Sequence, residues 1–433
     1  MFINFPEVSG VVIENFDQAK LPQMMRIRQI YDATYIRDTR QHIIERMQSL
    51  PDQEFYNGKR ICITCGSRGI PQLALILRTI CDQLKLWGAE PFVIPAMGSH
   101  GGGTAQGQTD VLLNLGVTEE SIQVPINSCM EVVQYAQLSN GIPLYCDKLA
   151  VQADGIIILN KVKPHTDFRG KHESGLAKMI AIGIAKHTGA AKFHAMGFSD
   201  FAERIPEAAE LFLQTMPHVI GVGIVQNAYD SICDLEIVQK EMLMETDAHL
   251  LEIAKQKIAL FKFDTLDVLI IDEIGKEISG FGHDPNITGR ANGYEPGFSD
   301  ILKLNKLFIR RLTKQTHHNG AGISEADITT RQCLLDIDWG LTWTNIITST
   351  EIQGGKIPMY TNNDLDALRI ILITCNSPSP EQVRLARIRN TLHMHEIEIS
   401  KYLCDQISGH PEIELLEGPY TWKFDDNNNL LDI

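Results

Sequence analysis

Histidine is concentrated in one short stretch of the chain, where four of its 14 occurrences fall within 30 residues: His165, His172, His187 and His194. An imidazole has an unperturbed pKa near 6.5, so it can move a proton or bind a metal at neutral pH. Lys178 lies among these histidines in an apolar, glycine-flanked segment, residues 175–186. Burial lowers the pKa of a lysine and makes its amine available for covalent chemistry. The stretch therefore predicts proton transfer, metal binding or covalent attachment, although a surface lysine and a helix-end histidine remain an alternative interpretation.

A second candidate for a functional site is the glycine-rich loop of residues 97–107, which contains five glycines and His100. Glycines let backbone N–H groups approach an anion, and a helix after the loop would add its positive end. The spacing matches neither the dinucleotide-binding glycine motif nor the Walker motif, so a simple tight turn remains open. His100 favours a functional site, because an imidazole in an exposed loop is not explained by core packing.

Apolar strands precede three of the candidate side chains, Arg68, His100 and His165. The predicted strands cover residues 59–65, 91–95 and 154–160. A helical pattern separates the first two strands, so they form a βαβ unit and predict a parallel sheet. Ligands of such sheets bind beyond the carboxyl ends of the strands. We therefore expect the three side chains to converge.

The 433 residues predict two α/β domains. We place an N-terminal, cofactor-binding domain with a parallel, Rossmann-like sheet at residues 1–262. A smaller α/β domain is placed at residues 263–433, and whether its last residues pack back on the first domain is left open. A strand at 266–272 would open the second domain and lead into a polar, glycine-rich loop. The active site is expected in the cleft between the two domains.

Composition narrows the class of protein. The formal net charge of −15 argues against a nucleic-acid surface, which needs clustered Lys and Arg, but permits a small anionic substrate. No apolar run is long enough for a membrane span, and the first residues do not resemble a secretory signal. The nine cysteines are an odd number and are scattered, which predicts reduced thiols and a cytoplasmic protein. Cys62 and Cys65 are expected on a strand, since a zinc site usually needs a second such pair.

The motifs around these residues resemble the signature of the nickel-dependent lactate racemases, which use a nickel pincer nucleotide. The matching segments are Gly98-Ser99-His100, Pro164-His165, Ser174-Gly175-Leu176-Ala177-Lys178 and His194. The family has Gly-Thr-His, Ser-Gly-Gly-x-Lys and a histidine 16 residues after that lysine, the spacing that separates Lys178 from His194. Arg68 stands where the family has Asp-x-x-Arg. The resemblance covers residues 55–200 well and the remainder loosely.

The resemblance implies a set of roles. Lys178 would bind the pyridinium-3,5-bisthiocarboxylic acid mononucleotide covalently, and His194 would be the protein ligand to its nickel. His100 and His165 would be general bases on the two faces of the substrate, and Arg68 would bind the substrate carboxylate. The other cofactor-binding residues would be Gly98, Ser99, Gly101, Gly102, Ser174 and Gly175. The implied activity is racemisation or epimerisation of a 2-hydroxy acid by proton-coupled hydride transfer through a 2-keto acid, after enzymes of cofactor synthesis have loaded the protein.

Three departures from the family pattern point to a separate branch of the superfamily. Cys65 replaces the aspartate before Arg68, and the step from His165 to Lys178 is longer than in the lactate racemases. The second-domain lysine that contacts substrate in the family has no secure counterpart, and Lys276 is the candidate. The polar residues 166–169 beside His165 could suit a larger substrate, such as a sugar acid or dicarboxylate.

Three other functions remain open at this point. One is an oxidoreductase that uses the same cofactor for net hydride transfer. Another is a non-catalytic protein that binds an organic acid or a metal. A third is a zinc enzyme that uses His165, His172 and His194. The binding protein and the zinc enzyme leave the position of Lys178 in an apolar segment unexplained.

Overall fold

The structure is a computed structural model that describes residues 3–9, 13, 16, 19–67, 69–195, 197–291 and 297–432. The chain divides into two compact units. The central unit is Asp32–Ile258, and the terminal unit combines Met1–Tyr31 with Ala259–Ile433. No helix in the described part of the chain is long and apolar enough to cross a membrane.

The strands in chain order are β1 (Met24–Gln29), β2 (Arg60–Cys65), β3 (Glu90–Pro95), β4 (Val132–Gln137), β5 (Pro143–Asp147), β6 (Gly155–Lys161), β7 (Val219–Gln226), β8 (Ile232–Gln239), β9 (Thr265–Ile274), β10 (Lys303–Leu312), β11 (Ile328–Thr330), β12 (Met359–Thr361), β13 (Leu385–Ile388), β14 (Glu396–Ser400) and β15 (Ile413–Tyr420). The α-helices are α1 (Thr39–Gln48), α2 (Leu73–Leu86), α3 (Ala105–Asn114), α4 (Glu119–Ile122), α5 (Lys148–Val151), α6 (Leu176–Lys178), α7 (Lys186–His194), α8 (Phe201–Thr215), α9 (Lys240–Lys257), α10 (Pro285–Thr288), α11 (Arg331–Asp336), α12 (Trp339–Ser349), α13 (Asp364–Thr374) and α14 (Lys401–Gln406).

The central unit is built on a five-stranded sheet in the order β3-β2-β6-β7-β8. The first four strands are parallel, and β8 runs antiparallel to β7. In β6, Ile156 and Ile158 belong to one buried cluster, and Ile157 and Leu159 belong to another. Burial on both faces explains why this strand is a continuous apolar run, as is typical of parallel sheets covered by helices. The predicted α/β fold with a parallel sheet is confirmed.

The terminal unit contains an eight-stranded mixed sheet in the order β12-β11-β10-β9-β13-β14-β1-β15. Its strand β1 comes from the N-terminus of the chain and pairs antiparallel with both β14 and β15. The sequence-based boundary assigned residues 1–31 to the first domain, whereas here they belong to the terminal unit. Met24 and Ile27 of β1 are fully buried there, and this pairing partner lies more than 350 residues away along the chain, beyond the reach of local sequence patterns.

The cysteines are free thiols, and Cys62 and Cys65 are buried on β2, as predicted from the sequence. Burial raises the pKa of both thiols, that of Cys65 to about 12. Thiols with raised pKa values are poor metal ligands and poor nucleophiles at neutral pH. These two cysteines therefore serve as core residues of the central sheet.

His283 is a fully buried histidine in the loop between β9 and α10 of the terminal unit. Its Nδ1 lies 3.2 Å from the hydroxyl of Thr288. Burial, assisted by the charge of Arg290, lowers its pKa to about 3. The folded chain therefore holds this imidazole neutral between pH 6.5 and about pH 3, where the unfolded chain protonates it.

His283 is expected to make the terminal unit less stable in mild acid. Because its pKa is lower in the folded than in the unfolded chain, its contribution is fully present above pH 6.5 and is lost as the pH falls towards 3. The free energy of unfolding should fall by roughly 1.5 kcal/mol between pH 6.5 and pH 5 through this residue. Urea denaturation at both pH values, with His283→Asn as the non-titrating comparison, measures the effect. Equal pH dependence in wild type and variant would contradict it.

Candidate active site

The loop after β6 presents His165 at the edge of the central sheet. Buried Glu173 accepts the backbone N–H of His165 at 2.7 Å, and its other oxygen pairs with Lys255 at 3.2 Å. The backbone N–H of Asp167 donates to Nδ1 of His165 at 3.0 Å. These contacts orient the imidazole so that its other nitrogen, Nε2, forms a hydrogen bond with Nζ of Lys178.

Lys178 ends a short helix, α6, whose start is held by a buried carboxylate. Asp247, on α9, accepts the N–H of Leu176 at 2.5 Å with one oxygen and lies 3.0 Å from His172 Nδ1 with the other. A side chain at Gly175 would overlap this carboxylate, so glycine permits the close approach. The amide of Asn160, at the end of β6, donates to the Gly175 carbonyl at 2.7 Å. The segment before Lys178 is therefore held from two sides.

Residues 179–183 continue α6 as a single π turn, a rare conformation that is frequent at functional sites. The N–H of Gly98 donates to the Gly183 carbonyl at 3.0 Å, which attaches the glycine-rich loop to this turn. A Cβ atom at Gly98 would lie 3.2 Å from Ala190 Cβ of α7. The loop, Lys178 and α7 therefore pack together on one side of the central unit.

His194 is the last residue of α7 and is partly buried. Its Nδ1 lies 2.9 Å from the carbonyl oxygen of Ala190, an acceptor, so Nδ1 carries the proton. Burial lowers the pKa of His194, and the nearby charge of Lys178 acts in the same direction. The ring is therefore neutral at physiological pH with its lone pair on Nε2, which is the usual state of a metal-binding histidine.

An aromatic cluster connects the two histidines. The ring of Phe198 lies 6.1 Å from that of His165 and 5.7 Å from that of His194, centre to centre. Phe201 packs against Phe198 at 4.7 Å and against His194 at 5.3 Å. The structure thus brings together His165, Lys178 and His194 beside an apolar wall, which excludes water from one side of the group.

The glycine-rich loop contains the backbone conformation that its sequence suggests. Four of its glycines have positive φ, a region that other residues rarely adopt: Gly98, Gly101, Gly102 and Gly103. The side chain of Thr104 caps the following helix, α3, by accepting the N–H of Gly107 at 3.1 Å. Ser99 and His100 are exposed, and Nδ1 of His100 lies 2.5 Å from the hydroxyl of Ser67 after β2. His100 therefore lies at the carboxyl ends of β2 and β3, as expected.

A fully buried lysine beneath this loop was not assigned a role from the sequence. Lys186 Nζ lies 3.0 Å from Asp147 and 3.1 Å from Gln108 Oε1, and it also donates to the Pro95 carbonyl. Gln108 in turn donates to the Gly98 carbonyl at 2.8 Å. Lys186 thus connects the end of β3 to the loop. The sequence did offer one indication that Lys186 is buried, since it lies in the same apolar segment as Lys178.

Replacing Lys186 by methionine is expected to lower the free energy of unfolding by about 3–5 kcal/mol, because Asp147 would keep a buried charge without its ion-pair partner. Urea denaturation measures the loss. The double variant Lys186→Met/Asp147→Asn removes both charges and should recover much of the stability, whereas the exposed Lys192→Met should change it little. A loss below about 1 kcal/mol in the single variant would contradict a structural role for the pair.

Three predicted site residues remain: Arg68, Ser174 and Lys276. Arg68 is outside the described residues. Ser174 exchanges backbone hydrogen bonds with Lys163, at 2.8 and 3.2 Å. Lys276 belongs to the terminal unit, where its Nζ donates to Asn345 Oδ1 at 2.6 Å. Neither Asp247 nor Glu173 was identified from the sequence, because the residues that neighbour a carboxylate in the sequence do not show whether it is buried.

The zinc hypothesis finds no support in the arrangement of the histidines. Nδ1 of His172 faces Asp247, and the ring is buried. Within the described ranges there is no group of three or more His, Cys, Asp or Glu side chains placed to hold a metal ion. The three histidines at 165, 172 and 194 therefore do not form a three-ligand site here.

Residues 34–205 match the family model of the lactate racemase N-terminal domain. The structure is similar to the crystal structure of a Thermotoga maritima protein, with 14% identity and a TM-score of 0.52 over 82% of this chain and 97% of that one. It is also similar to a lactate racemase apoprotein from Thermoanaerobacterium thermosaccharolyticum, with 15% identity and a TM-score of 0.52 over 85% and 99%. No curated protein matches the sequence. At these identities the two structural likenesses establish the fold alone.

The matched domain contains His100, His165, Lys178 and His194. The resemblance noted in these motifs is thus confirmed by an independent match over the same part of the chain. Residues 34–205 are therefore a lactate racemase N-terminal domain, and the chain has the fold of the lactate racemase apoprotein.

Proposed function

We propose that the chain is a racemase or epimerase of a 2-hydroxy acid that carries a nickel pincer nucleotide on Lys178. The observations that support this proposal are the hydrogen bond between His165 and Lys178 and the packing of Phe198 against both His165 and His194. The proposed base, the amine and the proposed metal ligand thus lie around one aromatic side chain. The lactate racemase N-terminal domain that contains this group supports the same conclusion.

The residues present fit this cofactor. Nε2 of His194 has a lone pair for nickel, and its ring is fixed by the hydrogen bond to Ala190. Gly101 and Gly102 of the loop have left-handed backbone conformations and lie shortly before the start of α3, an arrangement that suits a nucleotide phosphate. A Cβ atom at Gly98 would lie only 3.2 Å from Ala190 of α7, so glycine allows this backbone to lie close to the Lys178 segment. Ser99, Gly101, Gly102, Ser174 and Gly175 complete the proposed cofactor-binding set.

The chain's own residues would supply the acid–base chemistry. When bound, the cofactor provides a hydride acceptor and donor, which no side chain can provide. His100 and His165 would remove and return the hydroxyl proton of the substrate from opposite faces, since an imidazole is suited to both tasks at neutral pH. Arg68 would bind the substrate carboxylate through a bidentate ion pair. Lys276 is the candidate for the second lysine that contacts the substrate, and enzymes of cofactor synthesis would load the protein.

The mass of the intact, denatured chain tests this proposal. Protein made together with the enzymes of cofactor synthesis should be heavier by one nucleotide than protein made without them, and should contain about one nickel per chain. The same expression system should be shown to load a known lactate racemase. No added mass under those conditions would overturn the proposal and favour a non-catalytic protein that binds an organic acid or a metal.

A further inference from the structure

Helix α9 holds the start of α6 through one buried carboxylate. Asp247 is 1% exposed. One of its oxygens accepts the N–H of Leu176 at 2.5 Å, and the other lies 3.0 Å from Nδ1 of His172. A buried charge is stable only where polar groups surround it, so these two contacts keep the carboxylate in place. Leu176 is the first residue of the short helix that ends with Lys178, so Asp247 fixes where that helix begins.

The same helix supports the loop of His165 through a second buried carboxylate. Lys255 lies about two turns after Asp247 on α9. It forms an ion pair with Glu173 at 3.2 Å. The side chain of Glu173 is fully buried, and it also pairs with Arg169 at 3.7 Å. Glu173 accepts the backbone N–H of His165 at 2.7 Å, so the position of this loop depends on α9 as well.

The segment around these contacts is a loop that is closed at its base. Lys163 and Ser174 exchange backbone hydrogen bonds of 2.8 and 3.2 Å, so the two ends of the loop meet. A loop closed in this way can be longer without moving the residues at its base. The step from His165 to Lys178 is longer than in the lactate racemases, yet the two side chains are hydrogen-bonded to each other.

Close packing on the central sheet fixes the position of α9 itself. Gly221 and Gly223 of β7 leave room for leucines of the helix. A Cβ atom would lie 3.1 Å from Leu243 at the first glycine and 2.4 Å from Leu250 at the second. Leu250 also belongs to a buried cluster with Val162, which follows β6 directly. The helix is thus attached both to the sheet and to the base of the loop.

We propose that Asp247 and Glu173 are positioning residues that set the distance between His165 and Lys178. The inference rests on the proposed function for the roles of these two side chains, a base and the site of attachment. Asp247 places the lysine, Glu173 places the histidine, and both carboxylates are held by α9. Groups that orient a metal ligand or a reacting group from behind typically contribute about 10- to 100-fold to activity. A displacement of about 1 Å is enough for a loss of that size.

Hydrogen exchange of the cofactor-free protein tests the support of α6 directly. In Asp247→Ala the N–H of Leu176 loses its acceptor, so peptides that cover residues 165–178 should exchange about 10-fold faster than in the wild type. Peptides from β2 and β3 should keep their wild-type rates, which shows that the central sheet is folded. Asp247→Asn keeps an acceptor oxygen and should recover most of the protection. Glu245→Gln, at an exposed position of α9, is the matched control and should exchange like the wild type.

Kinetics of the loaded enzyme test the functional consequence. Asp247→Ala and Glu173→Ala should lower kcat about 10- to 100-fold and leave KM within about 3-fold of the wild-type value, since neither carboxylate is assigned a contact with the substrate. Rates are expressed per chain that carries the nucleotide, as measured by intact mass, so that a loss of folded protein does not lower them. Glu173→Gln and Asp247→Asn keep an acceptor oxygen and should recover at least about 5-fold of the lost rate.

Lys255→Met keeps the proposal testable if the alanine variants do not fold. Lys255 is one-third exposed, and Arg169 remains beside Glu173 when it is replaced. The variant should therefore fold, and its kcat should fall about 2- to 5-fold.

Two results would overturn the positioning role. One is wild-type exchange of residues 165–178 in Asp247→Ala. The other is a wild-type kcat per loaded chain in the variants of both carboxylates. The proposed function fails separately. Faster exchange in Asp247→Ala, in a protein that takes up no nucleotide under loading conditions, would support the contacts from α9 and reject the racemase. A loaded and active wild type whose carboxylate variants are equally active would do the opposite.

Discussion

A Lys178→Ala variant made together with the enzymes of cofactor synthesis is expected to carry no covalent nucleotide, whereas the wild type carries one. The amine of Lys178 is the only group we assign to the attachment, so its removal should abolish the added mass and all racemase activity. The variant should remain folded, because Lys178 is only partly buried and α6 is held by Asp247 and Asn160. Intact mass under denaturing conditions measures the adduct directly.

Lys192→Ala is the matched control for this experiment. Lys192 is exposed on α7, two residues before His194, and its variant should keep both the nucleotide and the nickel. His194→Ala should keep the nucleotide but lose most of the nickel, because it removes the Nε2 ligand and leaves Lys178 in place. An adduct that survives in Lys178→Ala would assign the attachment to another residue.

His100→Ala is expected to lower the rate of racemisation roughly 10²- to 10⁴-fold, the usual contribution of a positioned general base. His100 is exposed at the carboxyl end of β3, so its loss should leave the fold and the nucleotide adduct intact. The rate is measured on loaded enzyme with the 2-hydroxy acid selected in a substrate screen, and is expressed per chain that carries the nucleotide. Full activity of this variant would exclude a two-base mechanism that uses His100.

Comparing Ser67→Ala with His100→Ala separates the orientation of the His100 ring from its role in proton transfer. The hydroxyl of Ser67 lies 2.5 Å from Nδ1 of His100 and fixes the ring. A single hydrogen bond of this kind contributes about 1 kcal/mol, so the rate should fall about 5-fold rather than 100-fold. For a racemase the two enantiomers have equal free energies, so kcat/KM must have the same value in both directions, in the wild type and in each variant. Unequal values in the two directions would show that the measured reaction is not a racemisation.

Several features of this protein could be predicted from its sequence because they depend on local patterns. Continuous apolar runs identify β2, β3 and β6 as strands covered on both faces, and the helix between β2 and β3 implies that they are parallel. His100 and His165 follow β3 and β6, and because these strands are parallel both positions lie at the same edge of the sheet. The concentration of histidines around Lys178 can also be read directly from the sequence, because these residues lie close together along the chain.

Only the tertiary structure decided how these residues are held. Asp247 binds the N–H of Leu176, which is 71 residues away in the sequence. Lys186 of α7 forms an ion pair with Asp147 at the end of β5. Strand β1 pairs with strands from the other end of the chain. Whether a carboxylate or an ammonium group is buried depends on which elements pack around it. The periodicity of the sequence does not reveal this packing. The sequence by itself determined which residues can do chemistry in this protein. Packing decided how the two rings are oriented, because the Asp167 N–H and the Ala190 carbonyl lie at hydrogen-bond distance from Nδ1 of His165 and of His194.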